Sequence, residues 1–272
     1  LRVADRDAAV AFWEGRGARI ISPGGPGATF VGFGAYRDTE HFALELAQVS
    51  PESATKLVNS VVSYIGLSML LPQQPPGAED TEADIPDDPL ARFLAARSAK
   101  PWSMQDASGA VDALRGADGL EVKSVASAPG DPFAQFSLRT ASVETLAASA
   151  TFYTGVLGMS EVGAPSETQR CFRYAALPGG ALEGVPTTLV FRVEDGFAGD
   201  SVSTEECFDH IAISCVDVDA ASAHITGGEA GETPLAPVIL EPCGMFGTRI
   251  MGVRDPNGYK VYLVEEAGFR SG

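Results

Sequence analysis

Apolar positions in the last quarter of the chain fall into short runs around one longer amphipathic stretch. Residues His210-Ile211-Ala212-Ile213-Ser214-Cys215 predict a strand over 210–215. Residues 218–224 place apolar side chains at helical spacing and predict a helix. The runs 238–240, 249–253 and 259–265 predict three more strands. The order is strand, helix, strand, strand, strand. The preceding segment repeats it, with a strand over 136–140, a helix over 143–157 and strands over 172–177 and 189–193. The first fifty residues repeat it again, with a helical stretch over 8–13 and strands over 29–34 and 42–47.

The repetition extends to residue types. Leu1-Arg2-Val3 and the later aromatic pair Phe12-Trp13 recur, at nearly the same offset, as Leu138-Arg139-Thr140 and Phe152-Tyr153. The chain therefore reads as a tandem duplication of paired modules, each about 50–70 residues long. The second module is the least regular. It opens with a strand over 64–69 and closes near 118–122. Between them, residues 72–89 are rich in Pro, Asp and Glu, which reads as a solvated or disordered insertion, with a short helix over 91–98 after it. Pro129-Gly130-Asp131-Pro132 continues neither strand nor helix. The expected division is an N-terminal domain over 1–127 and a C-terminal domain over 132–272, in an α+β fold.

Composition narrows the function classes. Of 272 residues, 45% are hydrophobic and 20% charged, as in soluble globular proteins. Nineteen basic against thirty-six acidic residues give a net charge of −17. Such a chain repels phosphate backbones and anionic lipid surfaces, and no local basic run is visible, so nucleic acid is not an expected partner. The longest mainly apolar run, near 61–71, falls short of the roughly 20 residues of a membrane span. The chain starts at Leu1 rather than Met, which suggests processing or further residues upstream. The compartment stays open between cytoplasm and a plastid or mitochondrion. Cys171, Cys207, Cys215 and Cys243 form no CxxC pair and read as buried free thiols.

Four segments carry a family resemblance. They are Leu138-Arg139-Thr140 with the Phe152-to-Met159 turn, Phe42-Ala43-Leu44-Glu45-Leu46, Phe208-Asp209-His210-Ile211-Ala212-Ile213, and Asp255-Pro256-Asn257-Gly258-Tyr259-Lys260 with the strand after it. On these the chain resembles the vicinal oxygen chelate superfamily and, more narrowly, the fused two-domain form of glyoxalase I (lactoylglutathione lyase). The resemblance covers nearly all of the chain except about 72–108. It implies four βαβββ modules pairing into cupped mixed β-sheets. It also implies a divalent metal, zinc or nickel, that holds an ene-diolate, and a carboxylate that moves the proton.

In that family each site takes a His or Gln from a module's first strand and a Glu from its last, and the same pair from the partner module. The first module pairs with the fourth and the second with the third. Carried over residue by residue, one site holds Glu45, His210, Tyr262 and a position upstream of Leu1. Glu45 and His210 are the implied metal ligands. Glu45 and Tyr262 are the implied catalytic residues, although Tyr262 stands where the family has a carboxylate. The other site holds Gln135, Val190, Tyr64 and Lys123, a degenerate set that no divalent cation should accept. Arg2 and Arg139, at matched positions, are implied to contact a thiol-peptide carboxylate.

Each residue also has a plainer reading. Glu45 reads equally as a site residue and as an outward-facing edge-strand residue, and His210 equally as a ligand and as a satisfied imidazole. Tyr262 reads equally as a packing residue, Arg2 and Arg139 as exposed arginines, and His41 and His224 as surface residues. Two functions follow. One is a metal-dependent lyase or isomerase acting on a glutathione hemithioacetal or a similar small carbonyl adduct. The other is an inactive glyoxalase fold, without metal, kept as a binding or structural subunit of a larger organellar or photosynthetic assembly. A third use of the cavity is ligand binding without chemistry.

Overall fold

The computed structural model describes residues 1–22, 27–34, 41–50, 62–68, 114–115, 121–125, 130–175, 184–194, 197, 208, 210–227 and 249–267. The expected insertion at 72–89, the helix over 91–98 and the strand over 238–240 lie outside them.

The first module runs β1 (Arg2–Val3), α1 (Arg6–Glu14), β2 (Arg19–Ser22), β3 (Ala28–Gly32) and β4 (Ala43–Gln48). Asp5 starts the helix, its side chain accepting the Ala8 amide at 2.9 Å and so satisfying one of the free N–H groups of the first turn. Helix α1 packs on β3 and β4 through Trp13, which is 3% exposed. The strand order is β1-β4-β3-β2, with β1 parallel to β4 and the rest antiparallel.

The described parts of the other modules follow the same order. The second contributes β5 (Val62–Ser68), β6 (Leu114–Arg115) and β7 (Glu121–Val125). The third contributes β8 (Phe133–Thr140), α2 (Val143–Thr151), β9 (Ser160–Glu161), β10 (Gln169–Arg173) and β11 (Thr188–Val193). The fourth contributes β12 (Ile211–Cys215), α3 (Val218–Gly227), β13 (Ile250–Arg254) and β14 (Lys260–Glu265). In every module the first strand lies parallel beside the last. Antiparallel pairing of β5 with β8 joins the second and third modules into one seven-stranded sheet, β6-β7-β5-β8-β11-β10-β9. The fourth module forms the sheet β12-β14-β13.

Several elements differ from the sequence reading: β8 starts three residues before the expected 136–140 and β5 two before the expected 64–69. Helix α2 ends at Thr151, and the chain continues as a π-helical turn over Phe152–Val156, with the Leu157 amide reaching the Phe152 carbonyl at 3.1 Å. The wider turn carries Phe152 and Tyr153 inward together, both buried. Strand β10 begins three residues earlier than its apolar run suggests. Its position follows from pairing with β11, which sets Gln169 opposite Arg192, and only Phe172 on it is fully buried.

One core runs through all four modules. Phe133, at 0% exposure, meets Trp13, Phe33 and Phe42 edge-on, with centroids 4.9–5.5 Å apart. Full burial of such a ring stabilises by about 1.5–3 kcal/mol. Phe136 bridges onward to Phe208, and Phe208 to Tyr259. Two buried carboxylates tie modules together. Asp131 lies in the stretch read above as a breaker, yet it is 1% exposed and accepts the Phe42 amide at 2.6 Å and the Phe133 amide at 2.9 Å. Asp255 accepts from the Tyr153 hydroxyl, the Asn257 and Tyr259 amides and the Asn257 side chain. It closes the Asp255–Gly258 turn, where Gly258 takes a φ of 86° that favours glycine. Burial pushes each carboxyl up to about 6, against the hydrogen bonds that favour its charged form.

Candidate functional site

Strand alternation decides where Glu45 points. On β4, Leu44 and Leu46 are buried on the side covered by α1, so Glu45 between them faces away from the helix. The same alternation acts on β14, where Val261 and Leu263 are buried toward α3 and Tyr262 takes the opposite face. His210 immediately precedes β12. The register of β12 on β14 sets Ala212 opposite Tyr262, so His210, two residues earlier, shares that face.

These three side chains meet. His210 Nε2 lies 3.5 Å from Glu45 Oε2, and the His210 ring stands edge-on to Tyr262 with centroids 4.8 Å apart at 73°. Glu45 and His210 lie 210 − 45 = 165 positions apart in the chain, and the sheets of the first and fourth modules bring them together. The side chains are half-buried, at 30% and 20% exposure, so water is thinned around the pair while a small molecule retains access. Arg2 lies opposite Ala47 on β4, and Ala47 shares a face with Glu45, so Arg2 belongs to the same face.

The equivalent positions in the second and third modules gather at the centre of the seven-stranded sheet. Gly66 on β5 is flanked by Gln135 on β8 and Lys123 on β7. Tyr64 and Val190 both lie opposite Ser137. Val190 is 0% exposed, and Lys123 pairs with Glu121 at 3.2 Å. An apolar side chain and an ammonium offer a cation no ligand. Arg139 is not simply exposed; it pairs with Glu194 at 2.9 Å.

Some plainer readings need correction. His41 is half-buried, and its charge acts on the Asp131 carboxyl, whereas His224 is exposed on α3. Cys171 and Cys215 are free and only half-buried, with burial raising both thiols above their ordinary range. Asp131 and Asp255 escaped the sequence reading as joining residues. The Asp-Pro step that both share, Asp131-Pro132 and Asp255-Pro256, was the available signal.

A divalent metal, which the resemblance implies, can be tested against these donors. Two ligands about 2.1 Å from a cation, at angles between square and tetrahedral, lie about 3.0–3.4 Å apart. The Glu45–His210 separation of 3.5 Å fits one edge of such a shell. No group of three or more His, Cys, Asp or Glu able to hold a metal occurs among the described residues. The donors fit a two-ligand edge and not a complete protein cage.

No protein-family description and no curated protein sequence matches the chain. Among solved structures, glyoxalase I from Zea mays superimposes with a TM-score of 0.60 at 19% identity, over 98% of this chain and 91% of that one. Two singly substituted forms of the maize enzyme also give 0.60, at 18% and 19% identity, over 98% of this chain and 91% and 92% of theirs. At such identity the likeness is one of fold. The chain is an α+β protein of repeated modules with the fold of glyoxalase I, which is among its structural neighbours. No helix among the described residues is long and apolar enough to cross a membrane.

Proposed function

We propose that the chain is a glyoxalase I-like protein with one degenerate reaction centre, formed by Glu45, His210 and Tyr262. Its reaction is a proton transfer between adjacent carbons of a small carbonyl adduct, such as a glutathione hemithioacetal. The 3.5 Å approach of Glu45 to His210 is the observation that supports this reading. Glu45 is the base that takes the proton from one carbon and returns it to the next, and such positioned proton transfer contributes about 10²–10⁴-fold. A divalent cation, zinc or nickel, would be held by Glu45 and His210 and would supply Lewis-acid polarisation of the substrate oxygens. Arg2, on the face of Glu45, is placed for a carboxylate of the thiol peptide. The domains proposed are 1–127 and 132–272. Turnover of methylglyoxal hemithioacetal with added nickel or zinc, together with elemental analysis, tests the reading. Absence of both turnover and bound metal overturns it.

A second reading has its own observation. Tyr262 stands where the resemblance calls for a carboxylate, and Val190 and Lys123 occupy the matching places in the other cup. A fold with both sites eroded would serve as a binding or structural subunit of a larger assembly, organellar or photosynthetic. Stoichiometric copurification with such an assembly supports this alternative, and recovery as a free monomer from gentle extracts contradicts it.

A further inference from the structure

The two strands that carry the Glu45 centre are held at equivalent points. Glu45 on β4 and Tyr262 on β14 lie on the last strands of their modules, parallel to β1 and β12. Three residues before each stands an aromatic residue, Phe42 before Glu45 and Tyr259 before Tyr262. A buried carboxylate accepts the backbone amide of each: Asp131 takes Phe42 at 2.6 Å and Asp255 takes Tyr259 at 2.8 Å. The two carboxylates differ in origin. Asp255 lies in the turn that leads into β14, and such a side chain commonly closes its own turn. Asp131 reaches β4 from another module, 89 positions along the chain.

Asp131 is 1% exposed and gives one oxygen to each of two strands. Oδ2 accepts the Phe42 amide, and Oδ1 accepts the Phe133 amide at 2.9 Å, where β8 begins. The Asp131 amide donates to the Val185 carbonyl at 3.0 Å, which fixes the backbone that carries the carboxylate. Its other polar neighbours are the Thr187 hydroxyl and the half-buried His41, and among the described residues His41 is the ionisable group whose charge acts on it. The Phe42 ring also packs on Phe133 and Phe136, each at 5.5 Å between centroids. Phe42 thus has two holds, and only the hydrogen bond depends on charge.

The two consequences of protonating Asp131 have opposite signs. Protonation relieves the cost of burying the charge. The stability this gives the whole fold is fully present below the unfolded value near 3.8 and is lost as pH rises through about 6. The grip on Phe42 changes the other way, because an ionised oxygen accepts an amide more strongly than a protonated carboxyl does.

We propose that Asp131 is a positioning residue for the Glu45 centre: ionised, it fixes the start of β4 and keeps Glu45 in reach of His210, and protonation slackens that hold. The inference rests on the reading that Glu45 and His210 form one centre, and it adds regulation by pH. Three residues of extended strand, about 10 Å, separate the tethered amide from Glu45. A misplacement of about 1 Å is enough to cost a positioned group about 10²-fold in rate.

The test is nuclear magnetic resonance on the full chain. Exchange of the Phe42 amide is followed from pH 5 to 8, and the His210 Nε2 resonance is read at pH 7.5. Corrected for intrinsic exchange, protection of Phe42 should fall about tenfold as pH drops across this range, the loss of one charge-assisted hydrogen bond. In Asp131→Asn, protection should be low and independent of pH, while the pH response of the Tyr259 amide, held by Asp255, persists. The His210 resonance of Asp131→Asn should move toward that of Glu45→Gln. His41→Gln keeps the tether and guards against a folding failure in the aspartate variant. It should move the Phe42 midpoint to higher pH, since the imidazolium favours the ionised carboxyl. Phe42 protection that rises with acid or ignores it overturns the proposal. So does a midpoint unmoved in His41→Gln, or a His210 resonance identical in Asp131→Asn and the unsubstituted chain. Lack of both turnover and bound metal in the unsubstituted chain overturns the proposed reaction instead, and these resonances still decide the role of Asp131.

Discussion

The Glu45 cup and the centre of the seven-stranded sheet occupy equivalent places in the same repeated module, but they carry opposite chemistry. Around β4 and β14 a carboxylate, an imidazole and a phenol converge. Across β7, β5, β8 and β11 the matching positions are lysine, tyrosine, glutamine and a fully buried valine, with two arginines in register nearby. The backbone is nearly indifferent to this exchange, because alternating positions on the other face of each strand carry the core. Leu44 and Leu46 hold β4 whether or not Glu45 lies between them, and Leu189 and Phe191 hold β11 with Val190 in the same place. A duplicated sheet can therefore lose a metal-type site in one copy, keep two donors of it in the other, and remain one fold.

The largest effect that separates the two cups is catalytic. Glu45→Gln should lower any hemithioacetal turnover by about 10²–10⁴-fold, the contribution of a positioned base, whereas Lys123→Gln should leave it unchanged. Steady-state rates of the two variants decide whether the reaction belongs to one cup.

A second expected effect concerns the clasp shared by both cups. The Asp255 carboxyl is raised from 3.8 to about 6 by burial. A group raised in the folded state stabilises fully below its unfolded value and loses that contribution as pH rises through the folded value. Urea unfolding should thus show Asp255 favouring the fold more at pH 4 than at pH 7, by about 3 kcal/mol at most for a shift of this size. In Asp255→Asn the dependence between pH 4 and 6 should flatten by this residue's share, while loss of the second acceptor oxygen, which takes the Tyr153 hydroxyl and the Asn257 side chain, lowers stability at every pH. An unchanged slope would show that the carboxyl titrates normally.

Smaller still is the gain expected from repairing the Glu45 cup. Tyr262→Glu adds a carboxylate as the third donor beside Glu45 and His210, and added ligand charge should tighten zinc or nickel binding at least about tenfold. The same measurement on Val190→Glu, opposite Ser137 and near two arginines, should show no such gain. The smallest effect is that of Lys123→Ala on stability. Its pair with Glu121 is about one-third exposed on both sides, and such pairs contribute roughly 0–1 kcal/mol.

Much of this architecture was legible from the pattern of apolar residues. Alternation on β4, β11 and β14 and the helical spacing of α1, α2 and α3 expose the module order. The ends were less legible where tertiary pairing overrides local pattern. Strand β10 follows its register on β11 and not its apolar run, and the π-helical turn after α2 depends on burying two adjacent rings. The Glu45–His210 contact was legible only through the resemblance, since no local pattern joins residues on different sheets. The register that sets Arg139 against Arg192 was hidden for the same reason, and so were the joining roles of Asp131 and Asp255.

The central claim is that a single reaction centre survives, in the cup of Glu45 and His210. Calorimetric titration of the full chain with zinc or nickel tests it most directly. The account predicts one cation per chain, lost in both Glu45→Gln and His210→Ala. No binding at all, or binding that these two substitutions leave intact, would contradict it.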